Sequence, residues 1–301
     1  MTDAYVRTTT AMGTVVTAHI VGQSRRGVDR ETSAMRALDW FERVERSCSR
    51  FDPSSELNLL AAHVGTPCRA SEILFEAVRF AVAVAEESNG AFDPTIGHVL
   101  ASAGFDREHR SGLRIPPATI DAPVTYRDII VDDNEKTLMI AKPVTLDLGG
   151  VAKGFAVDLA ARSLLDDGFR DFAVEAGGDL YLAGRNANDE PWSVGVRHPR
   201  DPNEIIETLH VSDTAVCTSG DYERIAPNPG EVSHHIVDPR TSRSTTNLAS
   251  VTVIAPSTMT ADALSTAAFV LGPLDGLALL RRNKVRGFIY TPSLGRVSTD
   301  Q

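Results

Sequence analysis

Helical and strand-like patterns follow one another in an irregular order along this chain. Apolar side chains recur at helical spacing in residues 29–48 and 71–88, after a strand-like run at residues 13–21. From residue 172 onward several short strand-like runs occur, and a further helical pattern covers about residues 260–271. This mixed order predicts an α+β fold of mixed sheets and helices rather than a regular succession of βαβ units.

Local start and stop signals bound the individual elements. Asp29 and Ser71 precede the first two helical patterns as N-caps, and Asn89-Gly90 ends the second. A third helix is predicted at about residues 153–168. Further strands are predicted at residues 128–131, 137–140, 172–176, 180–183, 193–196, 206–211, 215–218 and 250–255. The composition of residues 101–128 predicts an irregular connection. No linker divides the chain, so residues 1–301 are expected to form one domain.

The charge of the chain argues against some functions. Its 301 residues include 40 acidic and 30 basic side chains, a formal net charge of −10, whereas nonspecific binding to nucleic acid or anionic membranes needs a basic surface. No apolar run approaches the roughly 18–20 residues of a membrane span. Residues 1–12 lack the apolar stretch of a secretory signal, so we expect a cytoplasmic protein. The three cysteines have no metal-type spacing and are expected to be small buried apolar side chains.

A glycine-rich segment at residues 145–154 lies between a predicted strand and a predicted helix. Gly149 and Gly150 allow backbone N–H groups at the helix entrance to approach a phosphate, and Lys153 can add a positive charge. The segment matches neither the P-loop spacing nor the G-x-G-x-x-G fingerprint. It also fits a plain strand-to-helix turn in which Asp147 is a local cap, so both interpretations stay open.

Asp262 and Thr266 form a second candidate site. They are four residues apart, so on a helix they share one face and their oxygens can converge on a hard cation such as Mg²⁺. An acidic residue in the first turn of a helix also interacts favourably with the helix dipole, and a helical Thr often donates to the carbonyl four residues earlier. The spacing alone favours this structural interpretation.

Two adjacent histidines, His234 and His235, stand beside an Asp-Pro turn and Arg240. A neutral imidazole can accept a proton near pH 7 and an Arg can hold a phosphate, so this segment can supply a general base and a phosphate contact. One histidine of such a pair is commonly a structural hydrogen-bonding group. The glycine-containing acidic turns at residues 90–95, 176–179 and 218–221 are, taken singly, ordinary turns.

Eight segments, in this order, resemble the ApbE family of FAD:protein FMN transferases. They are MGT at residues 12–14, SSELN at 54–58, GAFDPT at 90–95, DLGGVAKG at 147–154, AGGD at 176–179, TSGD at 218–221, HIVDPRT at 235–241 and ADALST at 261–266. The resemblance implies an α+β fold around one flavin-nucleotide cleft. It also implies Mg²⁺-dependent cleavage of FAD, with FMN moved as a phosphoester onto a Ser or Thr of an acceptor protein and AMP released.

The resemblance also implies roles for single residues. The Ala152 carbonyl with the Asp262 and Thr266 side chains matches the Mg²⁺ site of the family, and His235, preferred to His234 for its spacing from Asp238, matches the general base. The positions that match the FAD site are Met12, Phe51, Ala91, Phe92, Asp93, Gly149, Phe155 and Ile236. For Phe155 an ordinary core position is an equal interpretation.

Three residues depart from the usual pattern of the family. Ser242 stands where glycine is common, so the shape of that turn is in question, and Phe51 stands where tyrosine is common, which removes one hydrogen bond to the nucleotide. Ser265 stands where some members have an acidic residue near the metal. Besides flavin transfer, two alternatives are therefore kept: hydrolysis of FAD to FMN and AMP, and non-catalytic FAD binding. With neither a signal peptide nor a lipidation Cys near the start, the acceptor is expected in, or facing, the cytoplasm.

Overall fold

The structure is a computed structural model that describes residues 3–107, 112, 114, 123–226 and 233–300. Helices and strands are mixed along the chain, which confirms the predicted α+β class. The predicted irregular connection at residues 101–128 lies partly outside the described residues. Within its described part, a helix ends at Ser102 and a short 3₁₀ turn covers Tyr126–Asp128.

The predicted strands are all present, and none of their ends differs by more than two residues from the observed ones. The helices of the described chain are α1 (Arg30–Cys48), α2 (Glu56–Ala62), α3 (Glu72–Glu87), α4 (Gly97–Ser102), α5 (Gly149–Asp166) and α6 (Thr258–Arg282). The strands are β1 (Ala4–Ala11), β2 (Thr14–Val21), β3 (Cys68–Arg69), β4 (Ile129–Asp132), β5 (Thr137–Ile140), β6 (Asp171–Ala176), β7 (Asp179–Ala183), β8 (Trp192–Arg197), β9 (Ile205–Val211), β10 (Thr214–Gly220), β11 (Ile225–Ala226), β12 (Ser233–His234), β13 (Val237–Asp238), β14 (Arg243–Ser244), β15 (Ser250–Ala255), β16 (Arg286–Tyr290) and β17 (Arg296–Ser298).

A single antiparallel sheet organises the fold. In the described part of the chain its strand order is β1-β2-β6-β7-β10-β15-β16-β17, and each neighbouring pair is antiparallel. A small sheet of β3, β5 and β4 and the hairpin of β8 and β9 lie outside it. Because the chain leaves the sheet after β2 and returns only at β6, the segment between these strands supplies most of the helices.

Helices cover one face of the main sheet and the β8–β9 hairpin covers the other. Helix α5 packs between α1 and α6, and α6 packs on β10 and β15. The alternation along β10 matches these two layers: Ala215 and Cys217 belong to the main core cluster, whereas Val216 belongs to a separate cluster with Trp192 of the hairpin. The protein therefore has a helix layer, a sheet and a covering hairpin.

The predicted caps of the first two long helices are confirmed. Asp29 accepts a hydrogen bond from the Thr32 backbone N–H (2.8 Å), and Ser71 accepts one from Leu74 (3.2 Å). Helix α5, in contrast, begins at Gly149 rather than near residue 153, and the Asp147 side chain accepts a hydrogen bond from the Gly149 N–H (2.7 Å). The glycine pair is therefore part of the first turn of the helix.

Helix α6 continues to Arg282, well beyond its predicted end at residue 271. The predicted end coincides with a break, because Gly272 has a φ of 84° and a ψ of −176°, and Pro273 follows it. By length and mean composition α6 could cross a membrane, with a mean hydropathy of 1.6 over 18 residues, although Asp262 and Asp275 bound its longest stretch without a charged side chain. A buried core helix passes the same test, and 67% of that stretch is buried inside the protein.

Most elements that the sequence patterns missed are exposed or short, although the missed strand β16 is buried and has five residues. Strand β1 is an edge strand with most side chains exposed, so it lacks apolar alternation. Helix α2 has only seven residues, although Ser55 caps it by accepting from the Asn58 N–H. Of the cysteines, Cys48 and Cys217 are buried as predicted and Cys68 is partly exposed.

Candidate active site

Helices α5 and α6 meet closely near their amino-terminal ends. A Cβ atom at Gly154 would lie 2.6 Å from the Thr258 carbonyl oxygen, a distance that real side chains do not tolerate. Burial raises the pKa of Asp262, and the Gly154 backbone beside its carboxyl group acts in the opposite direction. Glycine at position 154 thus lets α6 approach α5, and the first turn of α5 faces Asp262 and the residues that follow it.

A buried cluster of three charges lies at this junction. The Lys153 ammonium forms an ion pair with Asp179 at the start of β7 and lies 3.7 Å from Asp262 Oδ2. Burial lowers the pKa of Lys153, but the two carboxylates outweigh it and raise that pKa overall. Burial and the nearby Asp179 carboxylate raise the pKa of Asp262, while Lys153 opposes this. The cluster therefore contains two acidic groups and one cation.

Thr266 lies one turn after Asp262 on α6 and contacts the start of α5. A Cβ atom at Gly150 would lie 3.4 Å from Thr266 Oγ1 and 3.0 Å from the Phe92 ring. Ser219 Oγ of β10 is 3.4 Å from Thr266 Oγ1 and 2.7 Å from Ser265 Oγ. The Thr266 hydroxyl therefore lies between the glycine pair of α5 and the end of β10.

These residues offer oxygen ligands of the kind that a hard cation needs. Asp262 is 5% exposed, and its Oδ2 atom has no hydrogen-bond partner among the described residues. Buried polar atoms are rarely left unpaired, so an orphaned carboxylate oxygen fits a site that a cation completes. Thr266 and the Ala152 carbonyl of the first turn of α5 are the other predicted ligands. The described residues contain no group of three or more His, Cys, Asp or Glu side chains suited to a metal.

The two adjacent histidines have different surroundings. His234 is buried; its Nδ1 accepts from the Ile236 N–H (3.2 Å) and its Nε2 lies 2.6 Å from the Thr245 carbonyl oxygen. Its ring also packs edge-on against Phe269. His235 Nδ1, in contrast, is buried without a hydrogen-bond partner in the described part of the chain. This difference favours His235 over His234 as the reactive histidine, which stays a prediction.

His235 is neutral at physiological pH. Burial lowers its pKa to about 3, and the positive charges of Arg224 and Lys153 contribute to the shift. The Phe105 ring lies edge-on to the imidazole, with 6.4 Å between the ring centroids. Because the charge of Lys153 acts on both His235 and Asp262, the histidine and the candidate cation ligand share one electrostatic environment.

The predicted segments at residues 90–95 and 235–241 meet at one cavity. This cavity, of about 300 Å³, has Asp93, Thr95, Arg240 and Ser242 in its wall. Asp93 is buried and accepts hydrogen bonds from the Thr95 N–H (2.9 Å) and the Tyr126 N–H (3.1 Å), so its carboxylate shapes the turn. Arg240 makes two 2.9 Å contacts to Asp238 within its own turn. A larger depression, of about 740 Å³ between β1 and α1, contains none of the predicted site residues.

Phe51 lies beside a buried arginine. The Arg50 guanidinium lies over the Phe51 ring at 4.1 Å, forms an ion pair with Asp147 and donates to the Phe105 carbonyl. Since Asp147 also accepts from the Gly149 N–H, Arg50 connects Phe51 to the first turn of α5. This pair brings the predicted FAD-site residues Phe51 and Gly149 to the same region.

The other predicted FAD-site residues are core or core-edge positions. Ala91, Phe92 and Ile236 are buried in the main core cluster, whereas Met12 and Phe155 are half-buried and pack against it. Met12 has a φ of 51°, in the turn between β1 and β2. For these five residues core packing is observed, and contact with FAD stays a prediction.

Several residues of this region were missed or undervalued by sequence reasoning. Lys153 was interpreted as a positive charge available to a phosphate, but it is bound to Asp179, whose AGGD segment, taken singly, was interpreted as an ordinary turn. Arg50 and Phe105 carried no sequence signal, because their role depends on contacts between distant segments. A buried ion pair of this kind is visible only once the fold brings its members together.

Comparison with known proteins gives one consistent result. The model of the ApbE family matches residues 12–289. The FAD:protein FMN transferase of Vibrio cholerae is 31% identical, covering 86% of this chain and 78% of its own length, and that of Haemophilus influenzae is 30% identical, covering 80% and 70%. The enzyme of the same name from Treponema pallidum is 34% identical, covering 75% and 68%.

Solved structures agree with the sequence comparison. The ApbE protein of Thermotoga maritima has a TM-score of 0.86 at 30% identity, covering 98% of this chain and 96% of that chain. The flavin transferase ApbE of Vibrio cholerae has a TM-score of 0.84 at 26% identity, covering 99% and 97%. The likeness therefore extends over nearly the whole chain.

Proposed function

The chain belongs to the ApbE family and is an FAD:protein FMN transferase, and we propose that it uses Mg²⁺ to move the FMN half of FAD onto a Ser or Thr hydroxyl of an acceptor protein. The observation that carries the proposal is the buried Asp262 oxygen beside Thr266 and the first turn of α5, which accepts no hydrogen bond from the described residues and has only the Lys153 ammonium near it, at 3.7 Å. A hard cation and a pyrophosphate both fit that position, since carboxylate and hydroxyl oxygens bind the cation and helix N–H groups bind the anion.

Asp262, Thr266 and the Ala152 carbonyl would hold the ion. When bound, Mg²⁺ would neutralise negative charge on the pyrophosphate of FAD and on the departing AMP. At the start of α5 the Gly149 N–H donates to Asp147, and the Val151 and Ala152 N–H groups donate to the Leu148 carbonyl. Among the described residues this leaves the Gly150 N–H as the group of the first turn that can donate to a phosphate oxygen. Lys153 is held by Asp179 and Asp262 and balances part of the acidic charge.

His235 is the proposed general base of the transfer step. The oxygen of the acceptor hydroxyl attacks the FMN phosphorus, and the bond from that phosphorus to the bridging oxygen breaks. The hydroxyl proton passes to the imidazole of His235, and AMP leaves with the bridging oxygen and its electron pair. The product is a phosphoester between FMN and the acceptor, so no water is consumed.

Substrate binding strengthens this base. In the ligand-free protein, burial and the charges of Arg224 and Lys153 keep the imidazole neutral, with a pKa of about 3. A neutral imidazole can accept a proton, but one with so low a pKa is a weak base. A pyrophosphate placed near these cations offsets their charge and raises the pKa of His235, so the base is strongest when FAD is bound.

The test is to incubate the purified protein with FAD and Mg²⁺, with and without a candidate acceptor peptide that contains Ser or Thr. AMP and FMN are measured by chromatography, and covalent flavin by in-gel fluorescence. AMP release that depends on the acceptor, with flavin bound covalently to it, is the expected result. AMP and free FMN in both arms would show that the protein hydrolyses FAD instead of transferring FMN. Intact FAD in both arms, bound tightly by wild type and by His235→Ala alike, would indicate a binding protein.

A further inference from the structure

At the junction of α5 and α6, an aspartate of each helix lies against the backbone of the other helix. Asp158 of α5 accepts hydrogen bonds from the N–H groups of Thr258 (2.7 Å) and Met259 (2.9 Å), one at each carboxylate oxygen. Asp262 of α6 in turn lies beside the Gly154 backbone of α5, which opposes the rise that burial causes in its pKa. The two partners on each helix are four residues apart, so each pair spans one helical turn.

Asp158 completes the cap of α6. The first four N–H groups of a helix have no partner within the helix. In α6, Thr260 donates to the Ser257 side chain (3.3 Å) and Ala261 to the Ser257 carbonyl (3.1 Å), which leaves Thr258 and Met259 for Asp158. Thr258 is fully buried, so water cannot replace the carboxylate there. Removing the carboxylate therefore leaves buried donors unsatisfied.

We propose that Asp158 is a positioning residue that sets the register between the two helices and thereby brings the cation ligands of α5 and α6 to one point. Ala152 lies on α5, whereas Asp262 and Thr266 lie on α6, so the cation site exists only at one relative position of the helices. Gly154 permits the close approach, and Asp158 fixes it along the helix axes. This inference rests on the proposed Mg²⁺-dependent function.

The role predicts a specific defect. Loss of the carboxylate should weaken cation binding by about tenfold, as expected when a residue that orients metal ligands is removed. It should leave the maximal rate at saturating Mg²⁺ and the KM for FAD close to the wild-type values. A purely structural role would lower thermal stability without changing the Mg²⁺ concentration that gives half-maximal activity.

The experiment compares wild type with Asp158→Asn, Asp158→Glu and the control Asp166→Asn. Asp166 lies two turns further along α5, and its carboxylate is exposed and pairs only with Arg162 on the surface of the described structure. Each protein is titrated with Mg²⁺ in the FAD-cleavage assay, and separately with Mn²⁺ without FAD, with free Mn²⁺ measured by electron paramagnetic resonance. Near-ultraviolet circular dichroism establishes that each variant is folded.

A tenfold rise in both half-saturating metal concentrations for Asp158→Asn, a smaller rise for Asp158→Glu and none for Asp166→Asn would support the inference. If Asp158→Asn does not fold, Asp158→Glu decides, because its longer carboxylate keeps the cap but shifts the register. Unchanged metal requirements in a folded Asp158 variant would overturn the inference alone. Absence of metal-dependent FAD cleavage in wild type and in Asp166→Asn would overturn the proposed function, and the inference with it.

Discussion

Lys153 Nζ lies 3.7 Å from Asp262 Oδ2, an oxygen that has no hydrogen-bond partner in the described part of the chain. The same ammonium is bound more closely to Asp179, so one cation serves two buried carboxylates. Such a cluster carries one uncompensated negative charge when both carboxylates are ionised. A divalent cation reverses that sign and leaves a positive charge that suits a pyrophosphate.

Replacing Lys153 by Met should make folding stability depend on Mg²⁺. Without the ammonium, two buried carboxylates lose their partner, and we expect a loss of about 3 kcal/mol in the free energy of unfolding. Mg²⁺ should restore part of this loss by binding Asp262. Denaturant unfolding with and without Mg²⁺ measures both effects. Lys142→Met is the control, because Lys142 is half exposed in its pair with Asp128 and should cost less than about 1 kcal/mol.

Asp262→Asn should abolish Mg²⁺-dependent FAD cleavage and leave a folded protein. The amide keeps the shape of the side chain but removes the charged ligand, so we expect at least a hundredfold lower rate of AMP release. Lys153 keeps its partner Asp179, and the free energy of unfolding should not fall. Chromatography of AMP and thermal unfolding check the two expectations. Wild-type activity in this variant would remove Asp262 from the cation site.

Alanine substitution of the two histidines should separate catalysis from stability. His235→Ala should lower the transfer rate by about 10²–10⁴-fold, the usual contribution of a general base, with little effect on unfolding. His234→Ala removes two hydrogen-bonding contacts and the packing on Phe269, so a loss of about 2–3 kcal/mol is expected. Transfer assays and denaturant unfolding of both variants are needed. A reversed pattern would assign the base to His234.

His235 should make the free protein less stable in mild acid. Its pKa is about 3 when folded and about 6.5 when unfolded, so between these values the unfolded chain binds a proton that the folded one does not. The free energy of unfolding therefore falls as the pH is lowered from 6.5 to 4.5, by about 2 kcal/mol from this group. His235→Gln should reduce this fall by that amount in denaturant titrations at both pH values. An equal fall in both proteins would contradict the low pKa.

Ser242→Gly should stabilise the turn that follows Asp238. Ser242 has a φ of 57°, in the left-handed region that glycine adopts without strain, and its N–H donates to the Asp238 carbonyl (2.8 Å). Relief of this strain should raise the free energy of unfolding by about 1 kcal/mol. Thermal and denaturant unfolding measure the gain, and Ser242→Ala, which keeps a Cβ atom, should show none.

The positive φ at Ser242 also answers the question that the sequence raised about this turn. The usual glycine of the family suits the backbone here, and the serine adopts the same conformation at a cost. The other two residues that depart from the family pattern are Ser265 and Phe51. Ser265 is fully buried and its hydroxyl donates to the Asp262 carbonyl (2.9 Å), and Phe51 packs under Arg50.

Periodicity and caps were enough to predict the elements whose signals are local. Strand β15 follows directly from its apolar alternation. Helix α3 follows from its helical apolar spacing, from the cap Ser71 at its start and from Asn89-Gly90 at its end. Strand β1 could not be predicted in this way, because an exposed edge strand needs no apolar face. The order of strands in the sheet is likewise set by packing between distant segments and has no local signal.

The residues of the candidate site also differ in how far local sequence signals could predict them. The sequence singled out the segments around Asp262, Thr266 and His235 because their motifs are contiguous. The pairing of Lys153 with Asp179 and the cap of α6 by Asp158 join segments far apart in the chain, and neither residue type nor spacing reveals them. What the sequence missed is therefore the set of residues that hold the candidate site together, whereas the roles of Asp262, Thr266 and His235 stay predictions.

Strand β2 pairs with β6, so that Val16 opposes Ala176 and Val21 opposes Asp171. This pairing closes a very long loop, and a fold with such high contact order is expected to form slowly. On the ribosome, the hairpin of β1 and β2 is made early, with Val6 and Val15 exposed on it, and has no sheet to join. That hairpin can pair with β6 only after residue 171 and the rest of β6 have left the exit tunnel. A chain truncated before β6 therefore contains β1 and β2 without their partner strand in the sheet.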